Sequence, residues 1–336
     1  MNINLIGLFF WAIPLLYGQS ALAQTPRPGP VPSAPVTSNY PTQAIRMLVP
    51  YPAGGGSDSL IRAMSAKLSE RLGQTVIIDN RPGGNTAIGT QLAANSRPDG
   101  YTYLVADQAH IINPFLMPHL PYDILRDFAP VALLANSASI LVVHPSLPVH
   151  TVNDLIALAR AHPGQINYAS GGNGTTTHMI GELINAEAHI KMVHIPYKGA
   201  APAIADIVAG QVSVAFNGVF AVRPLVESGR LRAIAISGTQ RKPAMPQVPT
   251  FIESGWPSID ATSYRGLVAP MGTPLPFITK IYEESIKCLE TPEVHKRLLD
   301  LGYDPTGGSP QTYDRIIRSE MSKWGRLIRQ VGIRLG

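Results

Sequence analysis

Apolar positions in this chain switch between two periods. "IRMLVPY" (45–51) is a nearly continuous apolar run of strand length, and Leu60, Ile61, Met64, Leu68 and Leu72 then recur at the spacing of one helix face. "TVIID" (75–79) is the next strand, so 45–79 reads as a βαβ unit whose two strands run parallel. The loop at 80–89 opens a helix that runs to Asn95, and "YTYLVAD" (101–107) is a third strand. Two more apolar runs follow, "PVALLAN" from 130 and "SILVVHP" from 139.

A second series begins after Pro145. "TVNDLIALARAHP" predicts a helix with Thr151 as its N-cap and Pro163 as its stop. "INYAS" (166–170) is a strand, and "GGNGTTTHMIGELINAEA" is a glycine loop opening a helix. "MVHIPY" (192–197) is a strand, and "GAAPAIADIVAG" is a helix closed by Gly210. "VSVAFN" (212–217) and "LRAIAIS" (231–237) are strands flanking another helix, and "RGLVAP" after Tyr264 is one more strand. The C-terminal helix carries Tyr313, Ile316, Ile317, Trp324, Leu327, Ile328 and Val331 on one face.

Alternating strands and helices mean α/β layers. A chain of 336 residues exceeds what one hydrophobic core usually serves, so two domains are expected. Hydrophobic residues at 45% and charged residues at 15% exclude a disordered chain. The net charge of +5 comes from scattered Lys and Arg with no aromatic interleaving, which argues against nucleic acid and mildly favours anionic ligands. Leu5 to Tyr17 is almost wholly apolar, and "ALA" (21–23) offers small residues for a cut before Gln24. That run is shorter than the roughly 20 residues of a spanning helix, so a cleaved export signal (1–23) is preferred to an uncleaved anchor, although no Lys or Arg precedes it. Residues 24–39 are Pro-rich and read as a tether. The single cysteine, Cys288, excludes an intrachain disulfide.

Three glycine loops, at 53–58, 80–89 and 171–175, fall after strands and before helices. In α/β sheets ligands sit outside the carboxyl ends of the strands, and a helix N-terminus offers free amides and a favourable dipole to an anion. No loop has the Gly-Lys-Ser/Thr of a P-loop or the glycine spacing of a dinucleotide site, and none contains an arginine within its glycine run. The pattern favours a carboxylate over a highly charged phosphate. "GGSDS" also resembles a nucleophile elbow with Ser57 as nucleophile, but Ser59 stands where the last glycine belongs and no oxyanion loop appears. The nine histidines show no metal spacing, so no metal and no cofactor are expected. His178, in the first turn of its helix, is read either as bonding its own loop or as touching ligand, and Asp58 either as favouring its helix dipole or as touching ligand.

"VPYPAGGGSDSLIRAMSAKLSERLGQTVIIDNRPGGNTAIGT", "RPDGYTYLVAD", "LPYDILRDFAPVALL", "INYASGGNGTTTHMIGELI", "VHIPYKGAAPAIADIVAGQV" and "QVPTFIESGWPSID…GLVAPMGTP" together resemble the Bug family, the substrate-binding proteins of tripartite tricarboxylate transporters (the TctC type). The resemblance covers nearly all of the chain from Tyr40. It implies a type II periplasmic binding protein, an α/β fold of two lobes with a hinge and an interlobe cleft. On this chain the lobes would be 40–144 with 263–336, and 145–262. It implies a small carboxylate or related organic acid as ligand and delivery to membrane permease subunits by a periplasmic monomer, or a sensor protein as partner instead.

Carried over by position, the ligand-binding residues would be Tyr51, Ala53, Gly54, Gly55, Gly56, Ser57 and Asp58 in the first loop and Gly84, Asn85 and Thr86 in the second. The second lobe would add Ser170, Gly172, Thr175, Thr176, His178 and Asn217. Asn217 stands where the family often has Asp, which removes a negative charge and adds a donor, and "PGGNTAIG" departs from the commoner Pro-Gly-Ala-Gly-Gly pattern. Function would be closure of the lobes on the ligand without catalysis. The competing readings are a sensory ectodomain with the same site and a serine esterase using Ser57.

Overall fold

The computed structural model describes residues 39–333. The leader at 1–23 and the tether at 24–39, apart from Asn39, lie outside the described residues, as do 334–336. The first sheet has the order β2 (Val76–Asn80), β1 (Ile45–Val49), β3 (Thr102–Ala106), β10 (Ser263–Pro270), β4 (Phe128–Ser137). The second has the order β7 (Val193–Pro196), β6 (Asn167–Ser170), β8 (Val214–Gly218), β5 (Ser139–Val143), β9 (Arg232–Ile236). β1 runs parallel to β2 and β3, as the 45–79 unit predicts, and β10 enters antiparallel between β3 and β4. The second sheet repeats the plan, with β6 parallel to β7 and β8, and β5 antiparallel to β8 and β9.

The helix α1 (Gly56–Leu72) buries the five apolar positions that set its period, Leu60, Ile61, Met64, Leu68 and Leu72. Each such side chain is worth about 1.5–3 kcal/mol relative to exposure. Gly73 ends the helix in a left-handed conformation, φ 66°, which a glycine adopts without a steric penalty. The helix α10 (Pro310–Val331) buries Tyr313, Trp324, Leu327 and Ile328 and packs against β4, α3 (Gln108–Leu116) and α5 (Thr176–Ala188), so it touches elements of both sheets.

The first passage between sheets falls at Ala138, ahead of the position near 144 expected from the sequence. β4 ends at Ser137 and β5 begins at Ser139, so residues 139–143 belong with the second sheet. β5 is buried throughout and β4 through its centre, and only the short polar stretch Asn136-Ser137 at the end of β4 marks the change of sheet. Three helices are absent from the periodicity reading, α3, α8 (Leu275–Leu289) and α9 (Pro292–Asp300). α3 is short, carries Pro114 within it and is apolar on most of its surface, so no single stripe marks it as a helix.

Candidate functional site

The loop between β1 and α1 is shaped by Asp58. This carboxylate is 1% exposed and accepts from the Gly54 amide (2.8 Å), Arg62 Nε (2.8 Å) and Asn80 Nδ2 (2.9 Å). Burial alone would raise its carboxyl, but hydrogen bonds from Arg62, the Gly54 amide and Asn80 outweigh that and hold it below the ordinary value. Asp58 therefore holds the loop together with its oxygens already engaged. Gly54 sits at φ 82°, and a β-carbon on Gly56 would stand 2.7 Å from the hydroxyl of Tyr303. The N-cap of α1, Gly55, brings no side-chain cap, so the amides of Gly56, Ser57 and Asp58 lack an intrahelical acceptor.

A residue that the sequence reading does not single out, Asp107, organises this loop. As the N-cap of α3 it accepts from the Ala109 amide (3.0 Å), and it also accepts from the Tyr51 hydroxyl (2.9 Å) and from Ser57 Oγ (3.1 Å). Burial, then the Asp107 carboxylate, raises the Tyr51 phenol well above its usual range, and Arg265 acts in the opposite sense. With its hydroxyl hydrogen directed at Asp107, Ser57 keeps its backbone amide as the remaining donor.

The same helix fixes the second loop. Asn113, fully buried on α3, donates to the Asn85 carbonyl (2.6 Å) and to Thr86 Oγ1 (3.1 Å), and accepts from Asn85 Nδ2 (2.8 Å). Asn85 and Thr86 are both left-handed, at φ 49° and 75°, a conformation that costs a β-branched threonine more than a glycine. The loop chemistry of Gly84, Asn85 and Thr86 is thus spent largely on α3. Sequence reasoning had no route to Asp107 or Asn113, because it found no helix at 108–116.

In the second sheet, β6 leads into the loop before α5. Ser170 is fully buried and bonds His194 Nε2 (2.6 Å), the Gly172 carbonyl (3.2 Å) and the Gly172 amide (3.1 Å). Thr175 caps α5, accepting from the His178 amide and donating to the Gly172 carbonyl at 2.7 Å. His178 Nδ1 accepts from the Gly174 amide (3.1 Å), so of its two readings the structure supplies the bond to its own loop. Its ring stacks on His194 with centroids 3.9 Å apart. Burial, reinforced by His194, lowers the His178 imidazole to about 4, and burial lowers His194 to about 4. Among the described residues, Thr176 is the one hydroxyl of 170–178 without a partner.

Asn217 closes the set. It lies at the end of β8, opposite Ile140 of β5, and just before α7 (Val219–Glu227), whose N-cap Gly218 provides no side-chain cap. It is 2% exposed, and its Nδ2 finds no acceptor among the described residues.

Asp107 and Asn113 gather the first-lobe candidates, while Thr175 and His178 gather those of the second. Tyr303 reaches Gly56 with its hydroxyl and lines a cavity of about 140 Å³ with Ala138, Val219 and Phe220. Lys242, on the second sheet's side, pairs with Asp304 beside that cavity. No cluster of three or more metal-ligating side chains occurs among the described residues.

Residues 60–333 match the family described as Tripartite tricarboxylate transporter family receptor. The chain belongs to that family. This receptor is 33% identical to protein BugT of Bordetella pertussis over 306 residues, 90% of this chain and 94% of BugT. The solved structure of R. palustris Rpa4515 with adipate superposes with a TM-score of 0.76 at 33% identity, covering 88% of this chain and 99% of that one. MatC from Rhodopseudomonas palustris with bound malate superposes with a TM-score of 0.73 at 28% identity, covering 86% and 100%. The two-sheet α/β architecture of this receptor is the two-lobed fold of periplasmic binding proteins.

Proposed function

We propose that the chain is exported to the periplasm, captures a small organic acid between its two lobes and hands it to the membrane subunits of a tripartite transporter. One observation carries this reading. At the carboxyl edge of each sheet a glycine loop opens a helix with donors to spare: the three leading amides of α1 in one lobe, and the Thr176 hydroxyl at the start of α5 in the other. Asn217 adds a buried donor without an acceptor, which costs free energy until an oxygen reaches it. Donors with no carboxylate or imidazole among them suit an anionic oxygen ligand. The adipate and malate held by the relatives are of that class.

Catalysis is not part of the proposal. Ser57 Oγ bonds a carboxylate, not an imidazole, and Ser170, which bonds the half-buried His194, is itself fully buried, with no acid bonded to the far ring nitrogen of His194 among the described residues. Partner specificity is proposed only as a permease of this transporter class, with the receptor acting as a monomer. A thermal-shift screen of mono- and dicarboxylates, amino acids and aromatic acids tests the reading. A ligand binding only the folded state raises the melting temperature. The reading expects acids to do so and uncharged analogues not to. A response to the amino acids or neutral amides alone would remove it.

A further inference from the structure

Arg265 stands at the start of β10, at the edge where the first glycine loop emerges. The next residue, Gly266, pairs with Ala106, the last of β3, so Arg265 lies level with Asp107 just beyond it. Its guanidinium carbon is 5.0 Å from the centre of the Tyr303 ring, and its Nη2 is 3.5 Å from where a β-carbon of Gly56 would stand. The guanidinium is thus beside the uncapped start of α1. It is also short of partners. Its one hydrogen bond among the described residues runs from Nη1 to Ser137 Oγ at 2.9 Å, and its Nε is buried without an acceptor. No carboxylate among the described residues forms an ion pair with it. A partly buried cation without an anion is unfavourable until one arrives, and a planar fork of donors suits a carboxylate.

The second lobe is different in kind. Its unengaged donors, Thr176 Oγ1 and Asn217 Nδ2, are neutral. We propose that Arg265 binds the ligand's ionised carboxylate together with the α1 amides, and that the second lobe needs only an oxygen acceptor at the ligand's other end. This rests on the organic-acid reading above and narrows it. The substrate class becomes acids with one obligatory carboxylate and a second oxygen function, whether carboxylate, amide or hydroxyl. The sequence hides this residue because Arg265 lies more than two hundred positions from Gly56 and outside every glycine loop.

The test uses calorimetric titration of the full-length mature protein with succinate, glutarate and adipate, each beside its half-amide and its uncharged diamide. The wild type is expected to bind at least one diacid and its half-amide within about tenfold of each other, and no diamide. Arg265→Gln should weaken both acids by about tenfold or more, the effect of losing a hydrogen bond to a charged group. Arg265→Lys should recover part of the loss, which a packing role would not explain. Arg265→Gln that binds as tightly as wild type overturns the inference and leaves the organic-acid reading standing. So does a half-amide rejected while its diacid binds. A wild type that binds a diamide as tightly as its diacid removes both.

Discussion

Ser57 directs its hydroxyl at Asp107 across 3.1 Å, while Tyr51 reaches the other oxygen of the same carboxylate at 2.9 Å. One acidic side chain thus orients two residues of the glycine loop and caps α3. Replacing it should cost stability by two routes: the lost cap, about 1 kcal/mol, and the stranded Tyr51 hydroxyl, about 1–3 kcal/mol. Asp107→Ala is expected to lower the urea unfolding free energy by about 2–4 kcal/mol. A loss under about 0.5 kcal/mol would show that this carboxylate does not hold the loop.

The same bond bears on the esterase alternative. A serine whose hydrogen goes to a carboxylate, with no imidazole bonded to it, lacks the Ser–His pair that activates an esterase nucleophile. The expected result is no turnover of an activated ester by wild type above the rate of denatured protein. Turnover that disappears in Ser57→Ala would overturn the binding role.

Stability should fall in mild acid. His178 and His194 are lowered to about 4 and His110 to about 3, chiefly by burial. The unfolded chain, with ordinary imidazoles near 6.5, binds more protons than the folded one between that pH and about 4, so stability rises with pH across the window. Melting temperature is expected to be flat above pH 7 and to decline from about pH 6.5 downward. His110→Phe, which keeps the ring packing on Tyr122 and Phe128, should flatten part of that decline. An unchanged slope would contradict the burial argument.

How much of this was legible beforehand depends on how local each signal is. The period of α1, the face of α10 and the three glycine loops are local, and each appears where the sequence puts it. The passage at Ala138 is not local, since two adjacent apolar runs do not show which sheet each joins, and only the pairing of β4 with β10 and of β5 with β8 decides it. The inner architecture of the site escaped for the same reason. Asp107, Asn113 and Arg265 act on residues far along the chain, and two of them flank or occupy a helix whose pattern carries no stripe. Asp58 and His178 were readable as loop residues or ligand contacts, and each bonds an amide of its own loop.

Lys242, which follows β9 of the second sheet, pairs with Asp304, whose backbone bonds Asn136 of β4 in the first. Exposed or half-exposed pairs contribute about 0.2–1 kcal/mol. If closure carries this contact, Lys242→Met should weaken ligand binding by no more than about fivefold, with a larger radius of gyration by X-ray scattering in the ligand-free state. Tighter binding would mean the pair opposes closure.

The leader at 1–23 carries its own expectation. N-terminal sequencing of protein recovered from the periplasm should begin at Gln24. Membrane-bound protein that retains Met1 would point to an anchor instead.

The central claim is that one acid is held by both lobes, through the α1 amides on one side and Thr176 on the other. Its most direct test is calorimetric titration of Thr176→Val against wild type with the tightest acid from the screen. Losing one hydroxyl donor to a charged group costs about 1.5–3 kcal/mol, or roughly ten- to a hundredfold in dissociation constant. The account predicts that loss, with the melting temperature of ligand-free protein nearly unchanged because Thr176 Oγ1 bonds nothing else among the described residues. An affinity equal to wild type would place the acid somewhere other than between these two helices.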